Sequence, residues 1–293
     1  MGKIVRALSE DGSVLCSAID STDMVREMAR LHETSPVVTA ALGRMTTAVS
    51  IMGAMLKYEG DTLTLRINGG GPCGTMTAVS DYRGNVKCCV GDPKAEVPLT
   101  PDGSLDVPAV VGRDGSLTVV KDMGLKEPYC GQIPLTSGNI AEDITAYYSI
   151  SEQLPTVCAL GILFNEDATV KAAGGYLVQV MPPVSDKAID VLEQNIRDMD
   201  SITTMLQNNM EPEKVAVMAL EGLGGEILDS WAAQYYCDCS RERTEQVLIS
   251  LGRKEIEKLA AEQETTEVCC HFCNKKYRFS TEQMLNLLKE IKN

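Results

Sequence analysis

The chain has 293 residues, of which 44% are hydrophobic and 23% charged, and this composition predicts two packed domains and excludes a disordered chain. The formal net charge of −14 belongs to residues 1–230, because residues 231–293 hold ten basic and ten acidic residues. An acidic body repels phosphate backbones, so we expect no nucleic-acid partner. The N-terminus lacks the apolar stretch of a secretory signal, and no run of eighteen apolar residues occurs, so we expect a cytoplasmic protein without a membrane span.

The N-terminal elements predict a hairpin followed by two helices. Asp11 and Gly12 separate two short apolar runs, which is typical of a β-hairpin. The segment STDMVREMARLHET then has its apolar residues at helical spacing. Ser35 as a cap and Pro36 at the first helical position predict a second helix. Its remaining residues are largely Ala, Gly and Thr, which indicates a central helix packed on several sides.

The rest of the body alternates apolar and polar residues in short runs. Leu63, Leu65 and Ile67 show the period of two that is typical of a strand with one buried face. Further predicted strands are GSLTVVKDMGL, YCGQIPLTSG and AAGGYLVQVMP, and NIAEDITAYYSISEQLP is a predicted helix. We therefore predict an α+β fold, with a core domain of residues 1–183 that contains an antiparallel sheet and ends at a Pro-Pro pair.

Residues 184–230 have a different character and predict a helical linker. Ile189, Leu192 and Ile196 lie on one helical stripe, and Pro212 is placed to begin a later short helix. Helices this short are marginal in water unless other elements pack on them. We therefore expect the linker to depend on its neighbours for its structure.

Residues 231–293 predict a small C-terminal zinc-binding domain. Two helices are expected around Val247 and Ile256, followed by a polar stretch and by a short strand at KKYRF. A final helix is expected over STEQMLNLLKEIK, where Ser280 and Gln283 have the spacing of a capping box. A domain this small has a thin core and needs a metal or another staple for its stability.

Four cysteines of this region have the spacing of a tetrahedral metal site. Alternate side chains of an extended segment point the same way, so Cys237 and Cys239 offer two sulfurs on one face. Cys270 and Cys273 have the CxxC spacing, whose tight turn brings two sulfurs onto one ion. Four thiolates suit one Zn²⁺ per chain at about 2.3 Å. Basic residues flank both pairs and would offset the charge of such a site.

Other uses of the same cysteines remain open. An iron–sulfur cluster can be bound by four thiolates, and a static zinc ribbon needs the same spacing. A thioredoxin-like redox site is disfavoured, because CHFC is followed by a predicted strand instead of opening a helix. His271 lies between two of the predicted zinc ligands, Cys270 and Cys273. Four sulfurs already complete the coordination of the ion, so we do not count His271 as a ligand.

The remaining chemistry-bearing residues predict no catalytic site. We expect buried, unreactive thiols at the six cysteines of the body: Cys16, Cys73, Cys88, Cys89, Cys130 and Cys158. The stretch GGGPCG lacks the Lys-Ser/Thr of a phosphate loop and is predicted to be a turn. With no nucleophile–base pair, no HExxH and no nucleotide loop, we predict that the chain is not an enzyme.

The chain resembles the 33 kDa redox-regulated heat-shock chaperones of bacteria. The tail matches their C-X-C and C-X-X-C signature at the four cysteines just described. The body is similar at ALGRMTTAVSIMGAMLK, INGGGPCG, VVKDMGLKEPYCGQIPLTSGNIAEDITAYYSISEQLP and AAGGYLVQVMP. The resemblance covers essentially the whole chain. Cys269 departs from the pattern as an additional thiol beside Cys270, which leaves open which disulfide forms first.

The resemblance implies an ATP-independent holdase that is inactive when reduced and zinc-bound. On oxidation, the implied disulfides are Cys237–Cys239 and Cys270–Cys273, zinc leaves, the linker unfolds, and unfolded client proteins bind. It also implies a monomer when reduced, a homodimer when active, and transfer of clients to an ATP-driven chaperone system. A static zinc-ribbon adaptor and a redox enzyme are the alternative functions.

Overall fold

The structure, a computed structural model, describes residues 1–288 of the chain. The chain divides into two compact units, Met1–Tyr236 and a second unit that begins at Cys237. Within residues 1–288, no helix is both long enough and apolar enough to cross a membrane.

The first unit contains two five-stranded antiparallel sheets, which confirms the predicted α+β class. Its strands are β1 (Gly2–Leu8), β2 (Val14–Asp20), β3 (Thr62–Gly70), β4 (Met76–Asp81), β5 (Val86–Val90), β6 (Gly112–Asp122), β7 (Tyr129–Pro134), β8 (Thr156–Phe164), β9 (Val170–Val180) and β10 (Glu226–Ala233). The first sheet has the order β10-β1-β2-β9-β8 and the second the order β5-β4-β3-β6-β7. The predicted N-terminal hairpin is the β1–β2 pair.

Within residues 1–236, seven helices belong to the first unit. Some pack in its main core, and the others lie on one face of the first sheet. The seven helices are α1 (Thr22–His32), α2 (Pro36–Gly53), α3 (Val107–Val111), α4 (Ile140–Tyr147, continued by a π-helical turn at Tyr148–Glu152), α5 (Asp186–Asp198), α6 (Ile202–Gln207) and α7 (Pro212–Ala219). Ser35 caps α2 by accepting a hydrogen bond from the Val38 N–H at 3.4 Å. Sixteen of the eighteen residues of α2 are buried, which confirms the predicted central helix.

The three linker helices pack on the face of the first sheet that points away from α2. Leu192, Met205 and Val215 from these helices share an apolar cluster with Cys16 and Val178 of the sheet. Helix α6 approaches the sheet closely at two glycines paired across β8 and β9. A methyl group at Gly161 would lie 2.7 Å from Ile202 Cγ2, and one at Gly174 would lie 3.2 Å from Leu206 Cδ2.

Strand β10 is an element that the sequence pattern did not predict. It pairs with β1 over Glu226–Ala233 and so crosses the predicted boundary at residue 231. The chain then reaches the second sheet, where Val86 N–H donates to the Gln234 carbonyl at 3.0 Å and Tyr236 N–H to the Val86 carbonyl at 2.9 Å. The division into a core domain 1–183, a helical linker 184–230 and a zinc-binding domain 231–293 stays a prediction.

Within residues 237–288, the second unit contains three helices and a two-stranded hairpin. Its elements are α8 (Arg241–Ser250), α9 (Arg253–Glu262), β11 (Thr265–Cys269), β12 (Lys276–Ser280) and α10 (Thr281–Leu287). The predicted capping box of Ser280 and Gln283 is present. The predicted continuation of the last helix over residues 289–292 lies outside the described residues. Strand β11 falls in the stretch that was expected to be merely polar.

Candidate metal centre

The four cysteines with metal-ligand spacing lie together in the second unit. The sulfur atoms of Cys237, Cys239, Cys270 and Cys273 are all within 4.8 Å of one another. The Cys237 and Cys270 sulfurs are 3.7 Å apart, and the Cys239 and Cys273 sulfurs are 3.4 Å apart. The structure thus brings together every residue that was predicted as a metal ligand.

Local structure explains how each pair is presented. Cys237 and Cys239 lie in a non-helical segment that ends where Ser240 caps α8, accepting from Arg243 N–H at 3.2 Å. Cys270 and Cys273 lie in the turn between β11 and β12. In this turn Cys270 N–H donates to the Lys275 carbonyl at 2.9 Å and Asn274 N–H to the Cys270 carbonyl at 2.8 Å. Asn274 adopts a left-handed conformation with φ of 57°, which closes the turn.

The arrangement fits a single tetrahedral ion. Four sulfurs at about 2.3 Å from one zinc ion are about 3.8 Å from each other, which is close to the two measured separations. A cluster of several irons would hold its cysteine sulfurs further apart, because ligands on different irons are separated by a metal–metal distance as well. The geometry therefore disfavours a polynuclear cluster, and the all-sulfur donor set suits a single soft ion such as zinc or iron.

The four thiols are electrostatically unequal. Burial raises the pKa of Cys237 and raises the pKa of Cys273 to about 11. Burial also acts to raise the pKa of Cys239, but hydrogen bonds from the Tyr277 hydroxyl and the neighbouring thiols outweigh it and lower that pKa. The Tyr277 hydroxyl lies 3.1 Å from Cys239 Sγ, and this bond raises the pKa of Tyr277. Tyr277 was not among the predicted site residues, because only folding brings its hydroxyl next to Cys239, 38 residues away in the chain.

The basic residues near the cysteines have partners of their own. Arg243 forms an ion pair with Asp238, and the Arg241 guanidinium lies 4.2 Å from the centre of the Phe279 ring. Lys276 and Arg278 both bind Glu267, at 2.8 and 3.0 Å. These cations therefore form ion pairs and a ring contact within the small unit.

Two residues beside the predicted ligands lie outside the sulfur cluster. Cys269 is exposed, and its sulfur approaches the Cys270 carbonyl only at 4.0 Å. It pairs with Lys276 across the hairpin. His271 is also exposed. Neither residue belongs to the group of four clustered cysteines, and the four-sulfur shell stays a prediction.

The cysteines of the body differ more than was predicted. Cys16, Cys73 and Cys88 are buried, and burial raises the pKa of Cys16 and Cys88 to about 12. Cys130, however, is exposed, so the expectation of burial was wrong for it. It lies on the edge strand β7, where Gly131 and Ile133 face the core and Cys130 faces outward. Cys89 and Cys158 are half-buried.

Comparison with known proteins places the chain in one family. The family model described as Hsp33 protein matches residues 2–280. The 33 kDa chaperonin of Clostridioides difficile strain 630 is 47% identical over 288 residues, covering 98% of this chain and 99% of the relative. That of Alkaliphilus metalliredigens is 44% identical over 289 residues, covering 99% of both.

A solved structure agrees with this result. The crystal structure of the 33 kDa chaperonin (heat shock protein 33 homologue) of Thermotoga maritima is similar with a TM-score of 0.90 and 34% sequence identity. The match covers 98% of each chain. The predicted family is thereby confirmed, and the chain belongs to the Hsp33 family of chaperones.

Proposed function

We propose that this chaperone is a redox-regulated, ATP-independent holdase whose switch is a zinc centre formed by Cys237, Cys239, Cys270 and Cys273. The observation that carries the proposal is the convergence of four thiols within 4.8 Å in a unit whose described core has seven buried apolar residues. When bound, zinc would keep the sulfurs as thiolates and contribute folding free energy to this small unit.

The proposed switch uses the reactivity of these sulfurs. A thiolate attacks one oxygen of peroxide, the O–O bond breaks, and a sulfenic acid and hydroxide form. A second thiol then displaces water from the sulfenic acid and closes a disulfide. We propose the pairs Cys237–Cys239 and Cys270–Cys273, which are the pairs that the resemblance to the family implies. Sulfurs joined in disulfides no longer act as thiolate ligands.

The linker connects this switch to client binding in the proposal. Helix α5 has thirteen residues but buries only Ala188 and Leu192, so it is weakly held. Release of α5, α6 and α7 would uncover the apolar sheet face around Cys16, Tyr176 and Val178. A broad exposed apolar surface binds the apolar segments of unfolded proteins.

The remaining parts of the proposal concern partners and place. We propose a cytoplasmic, non-enzymatic protein that is a monomer when reduced and a homodimer when oxidised, and that passes clients to an ATP-dependent chaperone system. The family membership and the names of its relatives support the chaperone role.

Light scattering of an unfolding client, with the protein reduced and oxidised in parallel and without ATP, tests this function. We expect strong suppression of aggregation by the oxidised form and weak suppression by the reduced form. Metal analysis of reduced protein should give one zinc per chain, and Cys239→Ser should lose it. Equal protection by both forms, with zinc retained under peroxide, would instead favour a static zinc-ribbon adaptor. Turnover of a disulfide substrate would favour a redox enzyme.

A further inference from the structure

The Tyr277 hydroxyl makes one of the four clustered sulfurs different from the others. It donates a hydrogen bond to Cys239 Sγ at 3.1 Å, from a side chain that is only 7% exposed. Unlike the main-chain N–H groups of the turn, this donor can be removed by a single substitution that keeps the aromatic ring.

Packing fixes the position of this hydroxyl independently of any ion. Tyr277 lies on β12, paired with Val268 of β11, and its ring belongs to the apolar cluster that includes Leu248 and Phe279. The Lys275 ammonium lies 5.3 Å from the ring centre. A cation over the ring withdraws electron density from it, which makes the hydroxyl a better donor.

We propose that Tyr277 is a positioning residue that sets how firmly the centre holds its metal and how readily Cys239 is oxidised. The inference rests on the proposed function, because it concerns the same sulfurs. A hydrogen bond to a thiolate stabilises its negative charge, and groups that orient and polarise metal ligands in this way strengthen metal binding. The same hydrogen bond draws on a lone pair of the sulfur, so the sulfur attacks a peroxide oxygen less readily.

The chemical step affected is the first oxidation. The Cys239 sulfur donates an electron pair to one peroxide oxygen, the O–O bond breaks, and the products are a sulfenic acid and hydroxide. With the hydroxyl in place, this sulfur is a weaker nucleophile. Tyr277 thereby raises the oxidant concentration needed to open the centre.

The test compares Tyr277→Phe with Tyr236→Phe in the full chain. Tyr236 is 53% exposed and directly precedes Cys237, so it controls for loss of a tyrosine hydroxyl near the cysteines. Three measurements are made: the sulfur-to-cobalt charge-transfer band of the cobalt-substituted protein, zinc affinity by chelator competition, and the rate of zinc release under peroxide. Circular dichroism reports whether the variants fold.

Tyr277→Phe should shift the charge-transfer band to lower energy, weaken zinc binding by about 10-fold, and accelerate zinc release. Tyr236→Phe should match the unsubstituted protein. An unchanged band and unchanged release rate in a folded Tyr277→Phe protein would overturn the proposal. So would failure of that variant to take up cobalt at saturating concentration, since a 10-fold loss of affinity leaves the site filled under that condition. If the unsubstituted protein kept its zinc under peroxide, the proposed function would fail, while the cobalt spectra would still decide the role of the hydroxyl.

Discussion

The two units of this chaperone are stabilised in different ways. In the first unit, α2 is enclosed so completely that sixteen of its eighteen residues are buried between sheets and helices. In the second, seven buried apolar residues of the described part lie beside four clustered thiols. Burial of apolar surface is indifferent to oxidants, whereas thiolate ligands are lost on oxidation. Under the proposed function, we therefore expect sensitivity to oxidants to be concentrated in the unit with the smaller apolar core.

The linker lies between these extremes. Helix α7 buries Pro212, Val215, Ala216 and Ala219 within eight residues, while the thirteen-residue α5 buries two residues. Asn195 of α5 donates to the carbonyls of Ala219 and Glu221, at 3.2 and 2.7 Å. Helix α5 therefore depends on the end of α7, and partial loss of the linker should begin at α5.

Metal removal should give the largest loss of stability, and this loss should be confined mainly to the second unit. A structural zinc site contributes roughly 10–16 kcal/mol, so we expect chelation or Cys239→Ser to unfold the second unit while the two sheets and α2 of the first unit stay folded. Hydrogen exchange measured by mass spectrometry would show loss of protection in β11 and β12 and retained protection in α2. Cys130→Ser, at an exposed site in the first unit, is the control. Loss of protection in α2 together with β11 and β12 would contradict the conclusion that the two units are stabilised in different ways.

A cavity beside α2 should destabilise the first unit and leave the metal centre of the second unit unchanged. Leu42 is fully buried, and Leu42→Ala is expected to destabilise the first unit by about 2–5 kcal/mol because it removes buried methyl groups and leaves a cavity. Zinc content should be unchanged. Denaturant unfolding and metal analysis measure the two quantities. Val217→Ala, at a side chain that is 43% exposed, should alter stability by less than about 0.5 kcal/mol.

A methyl group under α6 should loosen the linker alone. Gly161→Ala would place a carbon 2.7 Å from Ile202 Cγ2, and such overpacking costs roughly 1–3 kcal/mol. Cys16 should then react faster with a maleimide, because the linker helices cover it. Mass spectrometry of the labelled peptide gives the rate. Adding Ile202→Ala should relieve the clash and slow labelling relative to Gly161→Ala, and equal labelling of both proteins would argue against the mechanism.

The smallest effect is expected at Cys269. Because Cys269 is exposed and its sulfur lies outside the cluster, Cys269→Ser should keep stoichiometric zinc and keep activation. Peptide mapping should show a cleaner disulfide pattern, since one competing thiol is removed. If Cys269→Ser lost zinc while Cys270→Ser retained it, the ligand assignment would be wrong by one residue.

Local patterns predicted most elements of the fold. Ser35 and Pro36 located the start of α2, and the spacing of Ser280 and Gln283 located the start of α10, because caps and periodicity act within a few residues. Strands β10 and β11 were not predicted. Their sequences EILDSWAA and TTEVC carry charged or polar residues, and both become strands through pairing with β1 and β12.

In the candidate site, too, features set by nearby residues could be predicted, and contacts between distant residues could not. The four sulfurs could be predicted because each pair is close in the chain. Tyr277 could not, since its contact with Cys239 spans 38 residues. The contact of the Tyr235 hydroxyl with His32 Nε2 at 3.2 Å spans 203 residues and was equally hidden. Exposure of Cys130 depends on which face of β7 is covered, which the alternation of its own residues did not reveal.

If the linker is released as proposed, the paired glycines beneath α6 affect the range of proteins that this chaperone can protect. Gly161 and Gly174 lie opposite each other across β8 and β9, so the sheet there has no side chains to form ridges or pockets. Pockets select partners by shape, and a smooth area has little means of doing so. Uncovered, this part of the sheet would accept Leu, Met or Phe from many sequences, and breadth of recognition would follow from the missing side chains.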